Sequence, residues 1–335
     1  MDQIKNKKIL VTGGGGFLGF AIVRDLIAKG CEVRSFSRCS YLTLKKLGVE
    51  QIQGDIADSE TVDSAIKGMD IVFHVAARAG IWGKYENYYR PNVIGTQNVI
   101  DACIKHGVKG LVHTSSPSVV FDGKDMEGTD ESAPYPAHFH THYPKTKAIA
   151  EQLVKKAAKN GLPSIILRPH LIWGPEDNHL VPRILSRARS LVRVGDGKNL
   201  VDTIYITNAA HAHILAAQNI IENPSLSGNV YFISQDEPIP LWDMVNHILE
   251  TGGLNPVSRS IPASVAFIIG TISEFVYKMF RIKTEPKLTR FLAKEFTTSH
   301  WFDISAAKKD LGYKPKVSTK EGLALLAEWI KSNQR

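Results

Sequence analysis

The segment "VTGGGGFLG", residues Val11–Gly19, lies between a short β-branched run and an amphipathic stretch of helical periodicity. Gly13, Gly16 and Gly19 recur in it at every third position. Without side chains there, backbone N–H groups can approach a pyrophosphate, whose charge the N-terminus of the following helix favours. Four consecutive glycines in a strand-to-helix connection are poorly explained by a flexible turn alone. The segment therefore predicts a dinucleotide-binding βαβ unit.

The first half of the chain alternates strand-like and helix-like segments. Short runs rich in Val and Ile predict strands at "KKILVTG", "EVRSFS", "VEQIQGD", "DIVFHVAA", "GLVHTSS" and "PSIILRP". Helices are expected at about residues 17–29, near Ser59, at about residues 86–106 and at about residues 143–161, with a short helix after the second strand. Such alternation is typical of parallel βαβ units with right-handed crossovers. We therefore predict an α/β fold with a doubly wound parallel sheet of the Rossmann type.

The second half of the chain has a looser pattern. Pro169 and Pro175 interrupt the alternation, and later helical segments are separated by strands such as "NVYFIS". Ligands of doubly wound folds bind beyond the carboxyl ends of the strands, where this half can cover them. We predict a dinucleotide-binding Rossmann domain at residues 1–170. A smaller mixed α/β substrate-binding lobe is predicted at residues 171–335, with some segments returning to the Rossmann domain.

The composition is that of a globular protein with a basic surface. Of the 335 residues, 43% are hydrophobic and 22% are charged, which is enough apolar material for a buried core. The formal net charge is +8, but the basic residues are interspersed with acidic ones, and no basic stripe contains interleaved aromatic residues. Solvated helix faces therefore explain the charge better than a nucleic-acid surface. We expect no nucleic-acid partner.

Metal binding and export are not indicated. The three cysteines lack the spacing of a disulfide framework or of a zinc site, which fits a reducing compartment. His138, His140 and His142 alternate, but no cysteine or carboxylate stands at a suitable spacing to complete a metal site. The apolar run before the glycines is too short for a signal peptide, and no apolar run reaches about 18 residues. We expect no bound metal and a cytoplasmic location.

Two positions bear on the choice of cofactor. The second strand ends at Ser37 and Arg38, where a carboxylate would be expected if the protein had to bind a free ribose 2′-hydroxyl. A hydroxyl and a guanidinium suit a 2′-phosphate, so NADP is preferred over NAD, although Arg38 as a solvated surface residue is an alternative. Asp55 follows the third strand, and contact with the adenine amino group or a turn at a helix start would each explain it.

The stretch "THYPKTKAIAEQL" begins at Thr141 and contains a candidate proton-transfer pair. Tyr143 and Lys147 are four residues apart and share a helix face. A nearby ammonium, the helix dipole and an oxidised nicotinamide would each favour the phenolate, which predicts a phenol pKa below its usual value of about 10. In "HTSSPS", Ser115 or Ser116 ends a strand and can reach the same cleft to hydrogen-bond a carbonyl oxygen.

The order of glycine loop, strand-end serine, Tyr-x-x-x-Lys and "LRPHLIWGP" resembles the extended short-chain dehydrogenase/reductase superfamily over nearly the whole chain. The resemblance implies catalytic roles for Ser116, Tyr143 and Lys147, with Ser115 as the alternative serine. It also matches Asn92 to the helix asparagine that supports the active-site backbone and water in that superfamily. The expected cofactor contacts are Gly13, Gly16, Phe17, Leu18, Gly19, Ser37, Arg38, Asp55, Ile56, Ala76, Ala77, Tyr143, Lys147, Pro169, Leu171 and Ile172. The resemblance further implies a homodimer.

Within that superfamily the chain resembles the 3β-hydroxysteroid dehydrogenase group. "TSSPSVVFDG" and "GDGKNLVDTIYITNAAHAHILAA" resemble sterol-4α-carboxylate 3-dehydrogenases, whereas "AARAGIWGKYENYYRPNVIGTQNVIDAC" and "LIWGPEDNHLVPR" resemble bacterial 2-alkyl-3-oxoalkanoate reductases. The resemblance implies an NAD(P)-dependent oxidoreductase that interconverts a 3-keto and a 3-hydroxy group. Its substrate would be hydrophobic, either a 2-alkyl-3-oxo acid or a 3β-hydroxy (4-carboxy) sterol or steroid.

Such a substrate calls for a cation and an apolar wall. Arg183 is the first candidate for pairing with a substrate carboxylate and His170 the second, although a solvated helix face explains Arg183 equally well. The apolar stretch at residues 261–280 is interrupted by Glu274 and Lys278, so it is amphipathic rather than membrane-spanning. It is expected either to pack on the lobe or to form a lid that also contacts a membrane surface.

Two other functions share features of this sequence. A nucleotide-sugar epimerase or dehydratase would use the same scaffold and the same tyrosine. A dehydratase would be expected to carry an acidic pair after its strand-end hydroxyl residue, whereas Pro117 and Ser118 follow Ser116 here. A non-catalytic cofactor-sensing protein would typically lack the tyrosine, and Tyr143 is retained. The oxidoreductase is therefore preferred.

Overall fold

A computed structural model describes residues 3–282 and 284–333 of the chain; residues 1, 2, 283, 334 and 335, which the predicted domains include, lie outside the described residues. The strands are β1 (Lys8–Thr12), β2 (Glu32–Ser37), β3 (Glu50–Gln53), β4 (Ile71–His74), β5 (Gly110–Thr114), β6 (Met126–Thr129), β7 (Ser164–Pro169), β8 (Ile172–Trp173), β9 (Arg193–Val194), β10 (Leu200–Val201), β11 (Ile204–Tyr205), β12 (Val230–Ile233), β13 (Ile239–Pro240), β14 (Ser260–Ile261) and β15 (His300–Phe302). The helices are α1 (Phe17–Ala28), α2 (Leu42–Lys46), α3 (Ser59–Ile66), α4 (Glu86–Tyr89), α5 (Gly95–Lys105), α6 (His142–Lys159), α7 (Leu180–Arg187), α8 (Ile206–Glu222), α9 (Leu241–Thr251), α10 (Ala263–Met279), α11 (Arg290–Glu295), α12 (Ser305–Leu311) and α13 (Thr319–Asn333).

Seven parallel strands form the main sheet, in the order β12-β7-β5-β4-β1-β2-β3. This confirms the predicted doubly wound fold. Side chains alternate between the two faces of each strand, as the pleat requires. Ile9 and Val11 of β1 pack with α1 and α8, whereas Leu10 packs with α3, α5 and α6. Because both faces are covered by helices, the central strands are apolar on both sides, which is why they appear in the sequence as nearly continuous β-branched runs.

The strand order reverses at β1, whose neighbours are β2 on one side and β4 on the other. In doubly wound folds the crevice beyond the carboxyl ends of the strands at this point binds the ligand. Gly13 follows β1 and Ala76 follows β4, and a Cβ atom added to Gly13 would lie 3.1 Å from the Cα atom of Ala76. Glycine is therefore needed to let the two loops approach each other at the base of the crevice.

Segments from the second half of the chain do not all lie outside the main sheet. β12 forms its edge beside β7, and α8 covers one of its faces. Conversely, β6 from the first half joins a smaller mixed sheet in the order β13-β10-β15-β6. The division into residues 1–170 and 171–335 thus stays a prediction. None of the described helices is both long enough and apolar enough to cross a membrane.

The single helix predicted at about residues 86–106 contains an irregularity. Between α4 and α5 the chain forms a π-helical segment at Arg90–Ile94. Pro91 lies in it, and a proline removes one backbone donor and crowds the carbonyl group four residues earlier. Single π turns inside helices occur frequently at functional sites. This one contains Asn92 and turns its side chain toward the loop after β4, as described below.

Candidate active site

A cleft of about 970 Å³ lies at the carboxyl edge of the main sheet. Every residue that the sequence predicted to contact a cofactor lines this cleft, and so does Ser116. Arg183 and His170, the two predicted cations for a substrate carboxylate, do not. The cleft therefore brings together the glycine loop and the proposed catalytic residues, but not the expected substrate contacts.

The glycine loop has the geometry of an anion-binding turn. Gly13 has a φ of 71°, its N–H donates to the carbonyl oxygen of Phe36 at 2.7 Å, and its own carbonyl accepts from Gly16 at 2.8 Å. A Cβ atom on Gly19 would overlap the carbonyl oxygen of Gly13. Gly16 caps α1 without any side chain, and the first turn of that helix contains no acidic residue. These features fit the pyrophosphate of a dinucleotide cofactor at the helix N-terminus.

Ser37, the last residue of β2, and Arg38, which follows it, also line the cleft. The Ser37 hydroxyl is buried and has no hydrogen-bond partner among the described residues. The Arg38 side chain is exposed, lines the cleft and pairs with no acidic group in the described part of the chain. A hydroxyl and a guanidinium are thus both available to a ligand there.

Asp55 is already engaged on both of its carboxylate oxygens. Oδ1 accepts the N–H of Ala57 at 3.0 Å, in a turn that precedes α3 and its N-cap Asp58, and Oδ2 lies 3.3 Å from Nη2 of Arg90. Both residues still line the cleft. Sequence reasoning missed Arg90, because the pairing depends on how the helix runs over the sheet rather than on any local motif.

Tyr143 lies in the first turn of α6, half-buried at the wall of the cleft. Burial raises the pKa of its phenol above 10, and the Ser116 hydroxyl lowers it in part. The expectation of a lowered phenol pKa is therefore wrong, since desolvation is the largest influence on this phenol. The phenol is protonated at neutral pH, which is the form that can donate a proton.

Lys147 is one turn further along α6 and only 3% exposed. Its Nζ donates to the carbonyl oxygen of Thr114 at 2.6 Å, which holds the ammonium at the carboxyl end of β5. Burial lowers the pKa of Lys147 to about 8, and Glu151 raises it in part. The side chain is therefore still largely charged at neutral pH.

The two adjacent serines have different partners. Ser115 is 4% exposed, and its hydroxyl donates to Glu151 at 2.5 Å. Glu151 also accepts from Arg168 at 2.6 Å and 3.1 Å and from Tyr135 at 2.8 Å, so Ser115 belongs to a buried ion-pair network. The Ser116 hydroxyl instead lies 2.9 Å from that of Ser118. This geometry favours Ser116 over Ser115 as the hydroxyl available to a substrate.

A buried network that the sequence did not predict links β1 to the loop after β4. The Thr12 hydroxyl accepts the N–H groups of Val75 and Ala76, each at 3.1 Å, so its single proton is donated to Nδ1 of His74 at 2.9 Å. Nε2 of His74 then donates to Thr96 at 2.9 Å. Burial lowers the pKa of His74 to about 3. A neutral histidine therefore orients the Thr12 hydroxyl, which in turn fixes the backbone of Val75 and Ala76 at the wall of the cleft.

Asn92 provides a second connection. Its Oδ1 accepts the N–H of Arg78 at 2.7 Å, and its Nδ2 donates to the Arg78 carbonyl at 3.1 Å and to the Thr146 hydroxyl at 3.0 Å. Thr146 lies in α6, one residue before Lys147. Asn92 thus joins the loop after β4 to the helix that contains the proposed catalytic pair, which is consistent with the supporting role that the sequence predicted.

The two predicted substrate cations are placed elsewhere. Arg183 pairs with Glu285 outside the cleft. His170 is 8% exposed, and its Nδ1 donates to the carbonyl oxygen of Asp202 at 2.7 Å. Burial lowers the pKa of His170 to about 4, so it is neutral at neutral pH. Neither residue supplies a positive charge to the cleft, because neither lines it, Arg183 pairs with Glu285 and His170 is neutral.

Comparison with known sequences points to one family. A model described as the 3-beta hydroxysteroid dehydrogenase/isomerase family matches residues 10–263. The chain is 48% identical over 326 residues to a 2-alkyl-3-oxoalkanoate reductase of Shewanella oneidensis, which covers 94% of this chain and 84% of the relative. It is 33% identical over 329 residues to a decarboxylating sterol-4-alpha-carboxylate 3-dehydrogenase of Mus musculus, which covers 96% of this chain and 90% of the relative.

Solved structures share the same architecture. The crystal structure of gox2253 has a TM-score of 0.80 and 28% sequence identity, and the match covers 98% of this chain and 99% of the other. UDP-glucuronic acid 4-epimerase from Bacillus cereus, in complex with NAD, has a TM-score of 0.75 and 23% identity, with 98% and 100% covered. At this identity the similarity to the epimerase shows the fold alone.

Proposed function

Because the chain belongs to the 3-beta hydroxysteroid dehydrogenase/isomerase family, we propose that this NAD(P)-dependent oxidoreductase interconverts the 3-keto and 3-hydroxy groups of a 2-alkyl-3-oxo acid. The observation that carries the proposal is that Ser116, Tyr143 and Lys147 line the same cleft as the glycine loop. The relative with 48% identity, a 2-alkyl-3-oxoalkanoate reductase, supports the substrate class.

The residues of the cleft suggest how the chemistry proceeds. The glycine loop would hold a nicotinamide nucleotide, which would supply the hydride for reduction of the 3-keto carbon or accept it in the reverse direction. Tyr143 donates its phenol proton to the substrate oxygen, and the Ser116 hydroxyl orients that oxygen by a hydrogen bond. The Lys147 ammonium, fixed by the Thr114 carbonyl, stabilises the phenolate that is left.

The cofactor preferred by this proposal is NADP rather than NAD. The first support is that the side-chain polar groups of Ser37 and Arg38 have no partner within the described residues. The second is that no carboxylate stands at the end of β2. An Arg guanidinium suits a 2′-phosphate, because it can make charge-assisted hydrogen bonds to two oxygens. A comparison of NADPH and NADH as reductants tests this preference.

A sterol or steroid with a 3-hydroxy group and a 4-carboxylate is the second candidate substrate. The support is the 33% identity to the decarboxylating sterol dehydrogenase across 96% of this chain. Both candidates contain a carboxylate one carbon away from the position that carries the reacting group. The higher identity to the alkyl-oxoalkanoate reductase favours the open-chain acid.

The proposal extends to the partners of the protein. Seven large apolar side chains of α10 are exposed, namely Val265, Phe267, Ile268, Ile269, Ile272, Phe275 and Met279. Lys278 and Arg281 beside them are exposed and have no ion-pair partner among the described residues, whereas Glu274 pairs with Arg290 at 2.8 Å. An apolar face with unpaired cations suits an anionic bilayer, so α10 would be both the apolar wall of the lobe and a peripheral membrane contact.

A homodimer completes the proposed assembly. Its support is the resemblance to the extended short-chain dehydrogenase/reductase superfamily, in which dimers are common. Light scattering on the purified protein at several concentrations measures its mass. A mass of one chain at every concentration contradicts the dimer.

The function is tested by oxidation of NADPH, with NADH in parallel, against a panel of 2-alkyl-3-keto acids and 3-keto steroids. Turnover of the alkyl keto acids is the expected result. Turnover of the steroids alone would favour the second candidate. Spectral changes of the cofactor on addition of UDP- or dTDP-sugars, with none on addition of keto acids, would instead support the rival epimerase or dehydratase.

A further inference from the structure

The proposed substrate needs a cation close to its reacting carbon. In a 2-alkyl-3-oxo acid the carboxylate is separated from the 3-keto carbon by a single carbon, so its partner must lie on the substrate side of the cleft near Tyr143. The Arg and Lys side chains that line the cleft, within the described residues, are Arg38, Arg78, Arg90 and Lys147.

Three of these four side chains are accounted for. Arg38 directly follows β2, which is separated from β5 by β1 and β4 in the sheet. Arg90 pairs with Asp55 at 3.3 Å, and Lys147 donates to the Thr114 carbonyl. That leaves Arg78, which follows β4, the neighbour of β5 in the sheet, and which, like Arg38, has no acidic partner in the described part of the chain.

Arg78 is held in a way that suits ligand binding. Asn92 fixes both its N–H and its carbonyl group, while its side chain stays exposed to the cleft. The guanidinium carbon lies 5.8 Å from the centre of the Tyr88 ring. A fixed backbone and an aromatic support reduce the freedom that the side chain would lose on binding an anion.

Further contacts connect the loop that contains Arg78 to the first turn of α6, which contains Tyr143. The Tyr88 ring is 6.2 Å from the ring of His142, centre to centre, and His142 immediately precedes Tyr143. Asn92, which holds Arg78, also bonds Thr146 on α6. Two contacts, Tyr88 with His142 and Asn92 with Thr146, thus connect the loop that contains Arg78 to the helix that contains the proposed proton donor.

We propose that Arg78 binds the carboxylate of the substrate and so selects 2-alkyl-3-oxo acids over neutral ketones. This inference rests on the proposed function. A planar guanidinium can bond both carboxylate oxygens at once, which a lysine ammonium does less well. The pyrophosphate of the cofactor is the other anion in the cleft, and the experiment below separates the two.

The test compares an acid with its neutral analogue. A 2-alkyl-3-hydroxy acid and its methyl ester are oxidised with NADP⁺, because the hydroxy acid does not lose CO₂ as a 3-oxo acid does. Arg78→Met is expected to lower kcat/KM for the acid by about tenfold or more, and to leave the ester within about twofold of the wild type. Arg78→Lys should recover part of the loss, since it restores the charge without the planar fork.

Matched controls make the outcomes distinct. Lys84→Met removes a charge from the same loop, but Lys84 does not line the cleft. This variant should leave kcat/KM unchanged for both the acid and the ester. Thermal melting shows that each variant is folded, and NADPH fluorescence titration gives its cofactor Kd. Equal losses for acid and ester, or a weakened NADPH Kd that accounts for the loss, would overturn the assignment to the substrate carboxylate. A wild-type enzyme that oxidises neither compound would overturn the proposed function itself.

Discussion

The side-chain amide of Asn92 bonds both backbone groups of Arg78, accepting from its N–H at 2.7 Å and donating to its carbonyl at 3.1 Å. Asn92 lies in the π-helical segment and is 1% exposed. Because Nδ2 also donates to Thr146, a single residue sets the spacing between the loop after β4 and α6. The regular helix predicted from sequence would place this side chain differently, so the π turn is part of how the cleft is built.

Replacing Asn92 by alanine should therefore destabilise the protein. Two part-buried backbone groups of Arg78 and the buried Thr146 hydroxyl would lose a partner, at a cost of about 2–4 kcal/mol in the free energy of unfolding. Urea unfolding measures that free energy. Asn98→Ala is the matched control, since the Asn98 side chain bonds, among the described residues, only the Ile56 carbonyl, and its loss should cost about 1 kcal/mol or less. Equal losses of unfolding free energy in Asn92→Ala and Asn98→Ala would contradict the role of Asn92 in connecting the loop after β4 to α6.

Tyr143→Phe should abolish most of the turnover. The phenol is the proposed proton donor, and loss of such a group typically lowers the rate by about 10²–10⁴-fold. Cofactor binding should persist, because the glycine loop and helix α1 are untouched. Stopped-flow measurement of NADPH oxidation gives the rate, and fluorescence titration gives the Kd. Tyr89→Phe removes a phenol hydroxyl that has no hydrogen bond among the described residues, and it should keep the wild-type rate within about twofold.

The rate of reduction should fall as the pH rises through about 8. Burial lowers the pKa of Lys147 from its ordinary 10.5 to about 8, so the ammonium is present below that pH and is lost above it. Without the ammonium, the phenolate left by proton donation is no longer stabilised. The measurement is kcat/KM for reduction from about pH 6 to about pH 10. In Lys147→Arg the guanidinium stays charged throughout, so this decline should be absent even though the overall rate is lower.

Most of the main sheet was predictable from the sequence, because its strands are β-branched runs buried on both faces and its glycine loop marks the switch point. The small mixed sheet was not, since β10 and β13 have two residues each and no measurable periodicity. Local patterns also predicted where Tyr143 and Lys147 lie. They gave no sign of the contacts of Arg78, and they could not show that Arg183 pairs with Glu285, more than a hundred residues further along the chain. Such pairings depend on tertiary packing, which no local motif reports.

Arg38→Ala should change the cofactor preference. If the guanidinium binds a 2′-phosphate, kcat/KM for NADPH should fall by about tenfold or more, while the value for NADH stays nearly constant. For Arg38→Lys, kcat/KM with NADPH should lie between the values for the wild type and for Arg38→Ala, because lysine keeps the charge but loses the planar geometry. Steady-state kinetics with each cofactor measures the ratio. A parallel loss with both cofactors would show that Arg38 does not discriminate between them.

Binding to lipid vesicles tests the exposed face of α10. Ile268 is 57% exposed and Phe275 is 65% exposed, so replacing both by glutamine should leave the fold intact and weaken binding to anionic phosphatidylglycerol vesicles by about tenfold or more. Vesicles of neutral phosphatidylcholine should bind the wild type more weakly, and added salt should weaken binding to the anionic ones, because Lys278 and Arg281 contribute through their charge. Ile104→Gln on α5 is the control, since Ile104 is 55% exposed but has no cluster of exposed apolar neighbours. Co-sedimentation measures the bound fraction. If the wild type sediments with neither kind of vesicle, α10 is not a membrane contact. The same conclusion follows if the double variant binds as well as the wild type, and the apolar face of α10 is then only a wall of the proposed substrate lobe.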